Sequence, residues 1–129
     1  MPPDSNDAGP VAKMLRYARS DFAVANGHRE PEAHLGIYAF HAQQAAEKAI
    51  KAVSLHLGLQ YRFIHSIEAL LADLPMEPPD DVVQAAQLTM YAVESRYPEA
   101  LPDVTETELA QAIELARSVV EWAEQHIGN

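Results

Sequence analysis

Apolar side chains recur every three or four residues through most of the chain, which is the spacing of one face of an α-helix. The first run begins at Pro10, a residue suited to the first turn of a helix, and stops at Asn26 and Gly27. The second run is the longest and covers about residues 34–57. Gly58 then stands where a left-handed residue would end a helix. This pattern predicts two long helices in the first half of the chain.

Three further helices are predicted in the second half of the chain. A short one covers residues 66–74, with Ser66 as its N-cap. A fourth helix covers about residues 80–97. Thr105 and Glu108 have the spacing of a capping box, which opens the last helix. At α-helical spacing, the inward positions of the fourth helix are Val82, Ala86, Thr89 and Val93.

The sequence contains no sustained alternation of apolar and polar residues, so it predicts no strands. We therefore expect an all-α fold, an antiparallel up-and-down bundle of four long helices and one short helix. The bundle would cover residues 10–127, after a flexible N-terminal tail of residues 1–9 that is rich in Pro, Asp, Ser, Asn and Gly.

Composition narrows the function. The 129 residues include 9 Lys and Arg against 19 Asp and Glu, a formal net charge of −10 with His neutral. This balance argues against coating nucleic acid or an anionic membrane, while a local basic cleft stays open as an alternative. The absence of Cys excludes disulfides, thiolate catalysis and Cys-ligated metals. No segment has the pattern of a signal peptide, and no apolar run is long enough to span a membrane, so we expect a cytoplasmic protein.

Four polar residues of the second helix lie opposite its apolar stripe: His41, Gln44, Lys48 and Lys51. They form either a binding wall for a phosphate or base, or an ordinary solvated helix face. Glu47 and Lys51 also have the i,i+4 order that favours an ion pair.

Arg96 continues the inward stripe of the fourth helix, where a charge needs a partner or a cleft. It is either a structural residue or part of an anion site, since a guanidinium suits phosphate, and Tyr97 could hold a stacking ring beside it. His65 either caps the short helix or acts as a general base if it faces Arg96. No His-Glu-x-x-His spacing occurs, so we expect no metal site. We also expect no cofactor.

Three segments, in order, resemble the HEPN domains (higher eukaryotes and prokaryotes nucleotide-binding). The string FHAQQAAEKAIKA at residues 40–52 is similar to the signature helix of that family. Residues 65–71, HSIEALL, resemble its short His-Ser/Asp-Leu-x-x-Leu helix. Residues 88–98, LTMYAVESRYP, resemble its segment ending in Arg-Tyr-Pro, and the closing helix near Trp122 also matches. The resemblance covers roughly residues 10–127.

The resemblance implies a helical bundle that forms a homodimer and is often encoded beside a minimal nucleotidyltransferase, in toxin–antitoxin or defence modules. Active members are metal-independent endoribonucleases with an Arg-x(4–6)-His motif. Arg96 matches the arginine, but the positions for the histidine hold Leu101, Pro102 and Asp103. The ribonuclease motif is therefore incomplete, and His65 or His41 would have to substitute.

Three functions follow as hypotheses. The first is a non-catalytic dimer that binds a nucleotide or small phosphate and partners a nucleotidyltransferase. The second is a ribonuclease toxin in which Arg96 and His65 act on RNA. The third is a purely structural adaptor. Whether a partner modifies Tyr91 or Tyr97 stays open. The ligand-binding residues predicted for the first function are His41, Gln44, Lys48, Lys51, Arg96 and Tyr97.

Overall fold

The computed structural model describes residues 9–92 and 103–128. Within these ranges the chain is helical and contains no strand, which confirms the predicted all-α class. Most of the tail assigned to residues 1–9, together with Arg96 and Tyr97, lies outside the described residues. The elements are α1 Pro10–Ala25, α2 Leu35–His56, α3 Ile67–Ala72, α4 Asp80–Val83, a 3₁₀ segment η1 Gln84–Tyr91, and α5 Glu106–Ile127.

Helix α2 is the centre of the bundle and packs mainly between α1 and α5. It is buried on nearly every side because small side chains line most of its surface and let neighbouring helices approach closely. Larger side chains fill the remaining space, including Ile50 and Val53 of α2 and Leu109 of α5. The fully buried alanines of α2 are Ala39, Ala42, Ala45, Ala46, Ala49 and Ala52.

The helix ends follow the predicted capping chemistry. The Ser66 hydroxyl accepts a hydrogen bond from the backbone N–H of Ala69 at 3.1 Å, so Ser66 is the N-cap of α3. Thr105 and Glu108 exchange both bonds of a capping box at the start of α5. Gly58 has φ +77 at the end of α2, as predicted, because this left-handed turn disfavours a side chain.

The fourth helix begins at Asp80 as predicted, but its winding differs from the prediction. Only its first turn is α-helical, and Gln84–Tyr91 form a 3₁₀ helix with about three residues per turn. The fully buried residues are accordingly spaced by three, at Val82, Ala85 and Leu88. Inward positions predicted at Ala86 and Thr89 are therefore wrong, since both are only half-buried; Val93 lies outside the described residues.

The 3₁₀ segment is tied to the short helix by one side-chain bond. The backbone N–H of Ile67 donates to the Thr89 hydroxyl at 3.0 Å. This bond satisfies one of the N–H groups that the first turn of a helix leaves without an intrahelical partner. It holds α3, and the loop that precedes it, against the bundle. Among the described residues, no helix is long and apolar enough to cross a membrane.

Candidate functional site

Three of the predicted binding residues lie in the middle of α2 and are partly exposed to solvent. His41, Gln44 and Lys48 are half-buried, whereas every other residue between His41 and Lys48 is buried. Their spacing of three and four residues puts them in one line along the helix. We call these three residues the α2 polar face.

Asp21 of α1 orients two members of the α2 polar face. Lys48 Nζ donates to Oδ2 of Asp21, and Oδ1 lies 2.9 Å from Nδ1 of His41. The Asp21 side chain is 14% exposed and the Lys48 side chain 26%. One carboxylate thus holds an ammonium group and an imidazole side by side at the edge of the solvent.

The carboxylate of Glu47 lies deeper in the protein. Its Oε2 accepts a hydrogen bond from Lys51 Nζ at 2.7 Å, and its Oε1 accepts one from Gln43 Nε2 at 2.9 Å. Nδ1 of His65 lies 2.9 Å from the same Oε1. The Lys51 ammonium also sits 5.0 Å from the centre of the Tyr61 ring, a cation–π contact. The predicted i,i+4 ion pair is confirmed, and its side chains are only 5% and 10% exposed.

Two glutamines join these carboxylates into one network. Gln44 Nε2 donates to Gln43 Oε1 at 2.8 Å, and Gln44 Oε1 accepts from Lys48 Nζ at 3.2 Å. Gln43 Nε2 also donates to the backbone carbonyl of His65 at 3.3 Å. We call the connected residues the α2 network, which comprises Asp21, His41, Gln43, Gln44, Glu47, Lys48, Lys51 and His65.

The α2 network is electrically balanced. It contains two carboxylates and two ammonium groups, so its formal charge is zero when both histidines are neutral. Burying such groups is costly unless each one is paired and hydrogen-bonded. No buried side-chain nitrogen or oxygen of the described residues lacks a hydrogen-bond partner. The network is therefore a fixed and fully hydrogen-bonded arrangement. Its partly exposed members are held by hydrogen bonds to its more buried members, Asp21 and Gln43.

The protonation of Glu47 follows from these contacts. Burial by itself raises the pKa of this carboxyl, but hydrogen bonds from Lys51, Gln43 and His65 and the charge of Lys51 lower it, and the net shift is downward from 4.5. Glu47 is therefore ionised at neutral pH.

The ionised Glu47 decides the orientation of His65. An ionised carboxylate only accepts hydrogen bonds, so Nδ1 of His65 carries the hydrogen of this contact, and Nε2 is the basic nitrogen of the neutral ring. A carboxylate that holds Nδ1 in this way is the arrangement that orients a general-base histidine. The prediction that His65 caps α3 is wrong, because Ser66 supplies the cap.

The structure separates the predicted site residues into groups. It brings His41, Gln44 and Lys48 together at the surface and places Lys51 inside, under Tyr61. Arg96 and Tyr97 lie outside the described residues. Sequence reasoning missed Asp21 and Gln43 as network members. The sequence did contain one signal for Gln43. Alanines surround it on several sides of the helix, which predicts that this helix is buried nearly all round. A polar side chain in a buried helix needs a hydrogen-bond partner inside the protein.

Tyr91, the other tyrosine considered for modification, is half-buried at the end of the 3₁₀ segment. Burial, and then the negative charge of Glu108, raise the pKa of its hydroxyl. The group therefore stays protonated at neutral pH. Within the described residues, no group of three or more His, Asp or Glu side chains is placed to hold a metal ion.

An all-α bundle is the architecture that the resemblance to HEPN domains implies, and comparison with known proteins agrees. The model of the HEPN domain family matches residues 11–126, so the chain belongs to the HEPN domain family. A search among curated proteins finds no match.

Two solved structures are similar over nearly their whole length. TT1696 from Thermus thermophilus is 35% identical, with a TM-score of 0.77, and the match covers 90% of this chain and 97% of that one. ST0689, described as an archaeal HEPN homologue, is 28% identical, with a TM-score of 0.74, and the match covers 92% of this chain and 98% of that one.

The Glu47–Lys51 pair generates a stability prediction. We expect Glu47→Gln to lower the free energy of unfolding by about 3 kcal/mol at pH 7, because it leaves the Lys51 ammonium buried without a counter-charge. Urea denaturation followed by circular dichroism measures this loss. The matched control is Glu121→Gln on the exposed surface of α5, which should change the free energy of unfolding by about 0.5 kcal/mol or less.

The difference in stability between the wild type and Glu47→Gln should depend on pH. The pKa of Glu47 in the folded protein lies below its ordinary value of 4.5. Between these two pKa values the unfolded chain binds more protons than the folded chain, so stability rises with pH there. The stabilisation from Glu47 is therefore fully present above pH 4.5. It is lost as pH falls below that value through the lowered folded pKa. The difference between the wild type and Glu47→Gln should therefore shrink on acidification. A difference that stays constant or grows would contradict the assignment.

Proposed function

We propose that this chain is a non-catalytic HEPN protein that binds the phosphate of a nucleotide, or another small phosphate, and that the α2 polar face and Arg96 are its binding residues. The observation that carries the proposal is the Asp21 contact pair, which fixes a partly exposed lysine and a histidine side by side. Such orientation before binding reduces the entropy that a ligand must overcome. The absence of a histidine at positions 101–103 supports a binding role over a catalytic one.

The α2 polar face retains capacity for a ligand. Lys48 has three ammonium hydrogens, and the described residues accept two of them, through Asp21 and Gln44. His41 uses Nδ1 toward Asp21, so Nε2 becomes a second donor when the ring is protonated. A phosphate oxygen is a suitable acceptor for both groups, and charge-assisted bonds of this kind are the strong ones.

Charge balance explains why the proposal includes Arg96. With both histidines neutral, the α2 network has no net charge, so an anion gains little from it beyond oriented donors. A guanidinium supplies the missing positive charge and bonds phosphate with two parallel N–H groups. In this proposal Tyr97 is a further ligand-binding residue. Lys51 acts indirectly, because it holds Glu47 and contacts Tyr61 of the loop that carries His65.

Binding to phosphate-bearing ligands tests the proposal. We expect the full chain to bind ATP, GTP or a nucleoside monophosphate in isothermal titration, and Arg96→Ala or Lys48→Ala to raise Kd by about tenfold or more, as for the loss of one charge-assisted bond. Lys13→Ala is the matched control, because Lys13 is exposed on α1, outside the α2 network. Its Kd should equal that of the wild type.

Two other outcomes of this titration would contradict the proposed phosphate site. If no phosphate ligand binds and Arg96→Ala changes neither stability nor partner capture, the binding site does not exist. If no ligand binds but Arg96→Ala lowers stability, the chain is the structural adaptor, with Arg96 as one member of a buried charge pair.

We further infer that the protein works in the cytoplasm as a homodimer, and that its partner is a minimal nucleotidyltransferase in a toxin–antitoxin-like module. Membership of the HEPN family supports this pairing. We expect light scattering to give twice the chain mass of 14.2 kDa. A nucleotidyltransferase encoded by a neighbouring gene should co-purify with the tagged chain at a fixed ratio. A monomer that captures no such enzyme when the two are co-expressed would contradict this part.

A second candidate, a metal-independent ribonuclease, is favoured by one contact. Glu47 holds His65 in the orientation of a general base, and the ring is half-exposed. In this alternative His65 works at the ribose 2′-hydroxyl or the leaving oxygen, while Arg96 steadies the phosphate.

The ribonuclease alternative predicts growth arrest on expression and RNA cleavage that survives EDTA. Arg96→Ala should abolish cleavage, and His65→Gln should slow it about a hundredfold or more, the usual contribution of a general base. His28→Ala is the matched control, because His28 is an exposed loop histidine. Cleavage that requires a divalent metal, or that is unchanged in His65→Gln, would exclude His65 from this role.

A further inference from the structure

Phe63 is an exposed aromatic residue in the segment that joins α2 to α3. Its side chain is 93% exposed, the highest value among the large hydrophobic residues that the structure describes. An isolated apolar residue on a surface is ordinary, but a ring this exposed beside a polar network leaves a large aromatic surface accessible to a ligand.

The backbone around Phe63 is anchored on both sides. Before it, Arg62 donates two hydrogen bonds to the Asp73 carboxylate, at 2.7 and 3.2 Å. After it, Ile64 packs against the core and His65 contacts Glu47. The ring is therefore presented by a restrained segment, which lowers the entropy that a stacking ligand must overcome.

An aromatic contact links Phe63 to the α2 network. The Phe63 and Tyr61 rings meet edge to face, with centroids 5.7 Å apart and planes at 70°. Tyr61 in turn covers the Lys51 ammonium, the partner of Glu47. Because Phe63 precedes His65 by two residues, their Cα atoms are at most about 7 Å apart. The exposed ring thus lies at the His65 end of the network.

We propose that Phe63 is a stacking platform for the base of a nucleotide, an inference that rests on the phosphate site proposed above. The expected ligand is then a base-bearing nucleotide instead of a simple phosphate or sugar phosphate. Stacking on an aromatic ring accepts every base, because each base has a π-face. Leu57 and Leu59, the other exposed large apolar residues of this segment, are each only 37% exposed, so the exposed apolar surface here is mainly the single Phe63 ring. A single exposed ring suits a planar ligand better than a broad apolar protein interface.

Titration of the full chain with AMP and with ribose 5-phosphate, which lacks a base, tests the platform. We expect AMP to bind the wild type about tenfold or more tightly than ribose 5-phosphate, the usual gain from stacking one base. Phe63→Ala should reduce AMP binding to the level of ribose 5-phosphate and leave ribose 5-phosphate unchanged. Phe63→Trp should retain the preference for AMP. Leu59→Ala, at a partly exposed apolar position of the same segment, is the matched control and should behave as the wild type.

The outcomes separate this inference from the phosphate site. Equal AMP affinity in the wild type and Phe63→Ala overturns the platform and leaves the phosphate site standing. Failure of both ligands to bind the wild type overturns the phosphate site, and the platform with it. A lower oligomeric mass for Phe63→Ala, with AMP affinity unchanged, assigns the ring to a protein contact and overturns the platform.

Discussion

The ionised carboxylate of Glu47, buried in the middle of the central helix, is the constraint on which the rest of the structure depends. A charge at that depth must be paired and fully hydrogen-bonded, or folding would lose several kcal/mol. Lys51, Gln43 and His65 meet this requirement, and two of them come from the same helix. The third, His65, lies on the loop before α3, so the carboxylate fastens that loop to α2.

The same network connects the interior with the surface. Hydrogen bonds through Gln43 and Gln44 connect the buried Glu47 carboxylate to Lys48. Lys48 in turn bonds with Asp21 of α1. Three parts of the chain are thereby held in register by polar contacts: α1, α2 and the loop before α3. The alanines of α2 make this arrangement possible, because their small side chains let neighbouring elements reach the polar groups of the helix.

Membership of the HEPN family and the balanced charge of the α2 network together shape the functional conclusion. In the sequence, Arg96 stands where the ribonuclease motif implied by the resemblance has its arginine, and positions 101–103 hold no histidine. A balanced network offers orientation more than electrostatic attraction, which is why the proposed ligand is a small phosphate and not a long RNA. The net charge of −10 belongs to the whole chain and says little about such a local site.

Local chemistry made much of the fold predictable from the sequence alone. The two long helices, the caps at Ser66 and Thr105 and the turn at Gly58 depend on neighbours a few residues away. Tertiary structure alone decided the 3₁₀ winding of Gln84–Tyr91, the contact of Asp21 with α2 and the burial of Lys51. These features depend on partners distant in sequence, and periodicity cannot distinguish a solvated polar face from one that packs against another element.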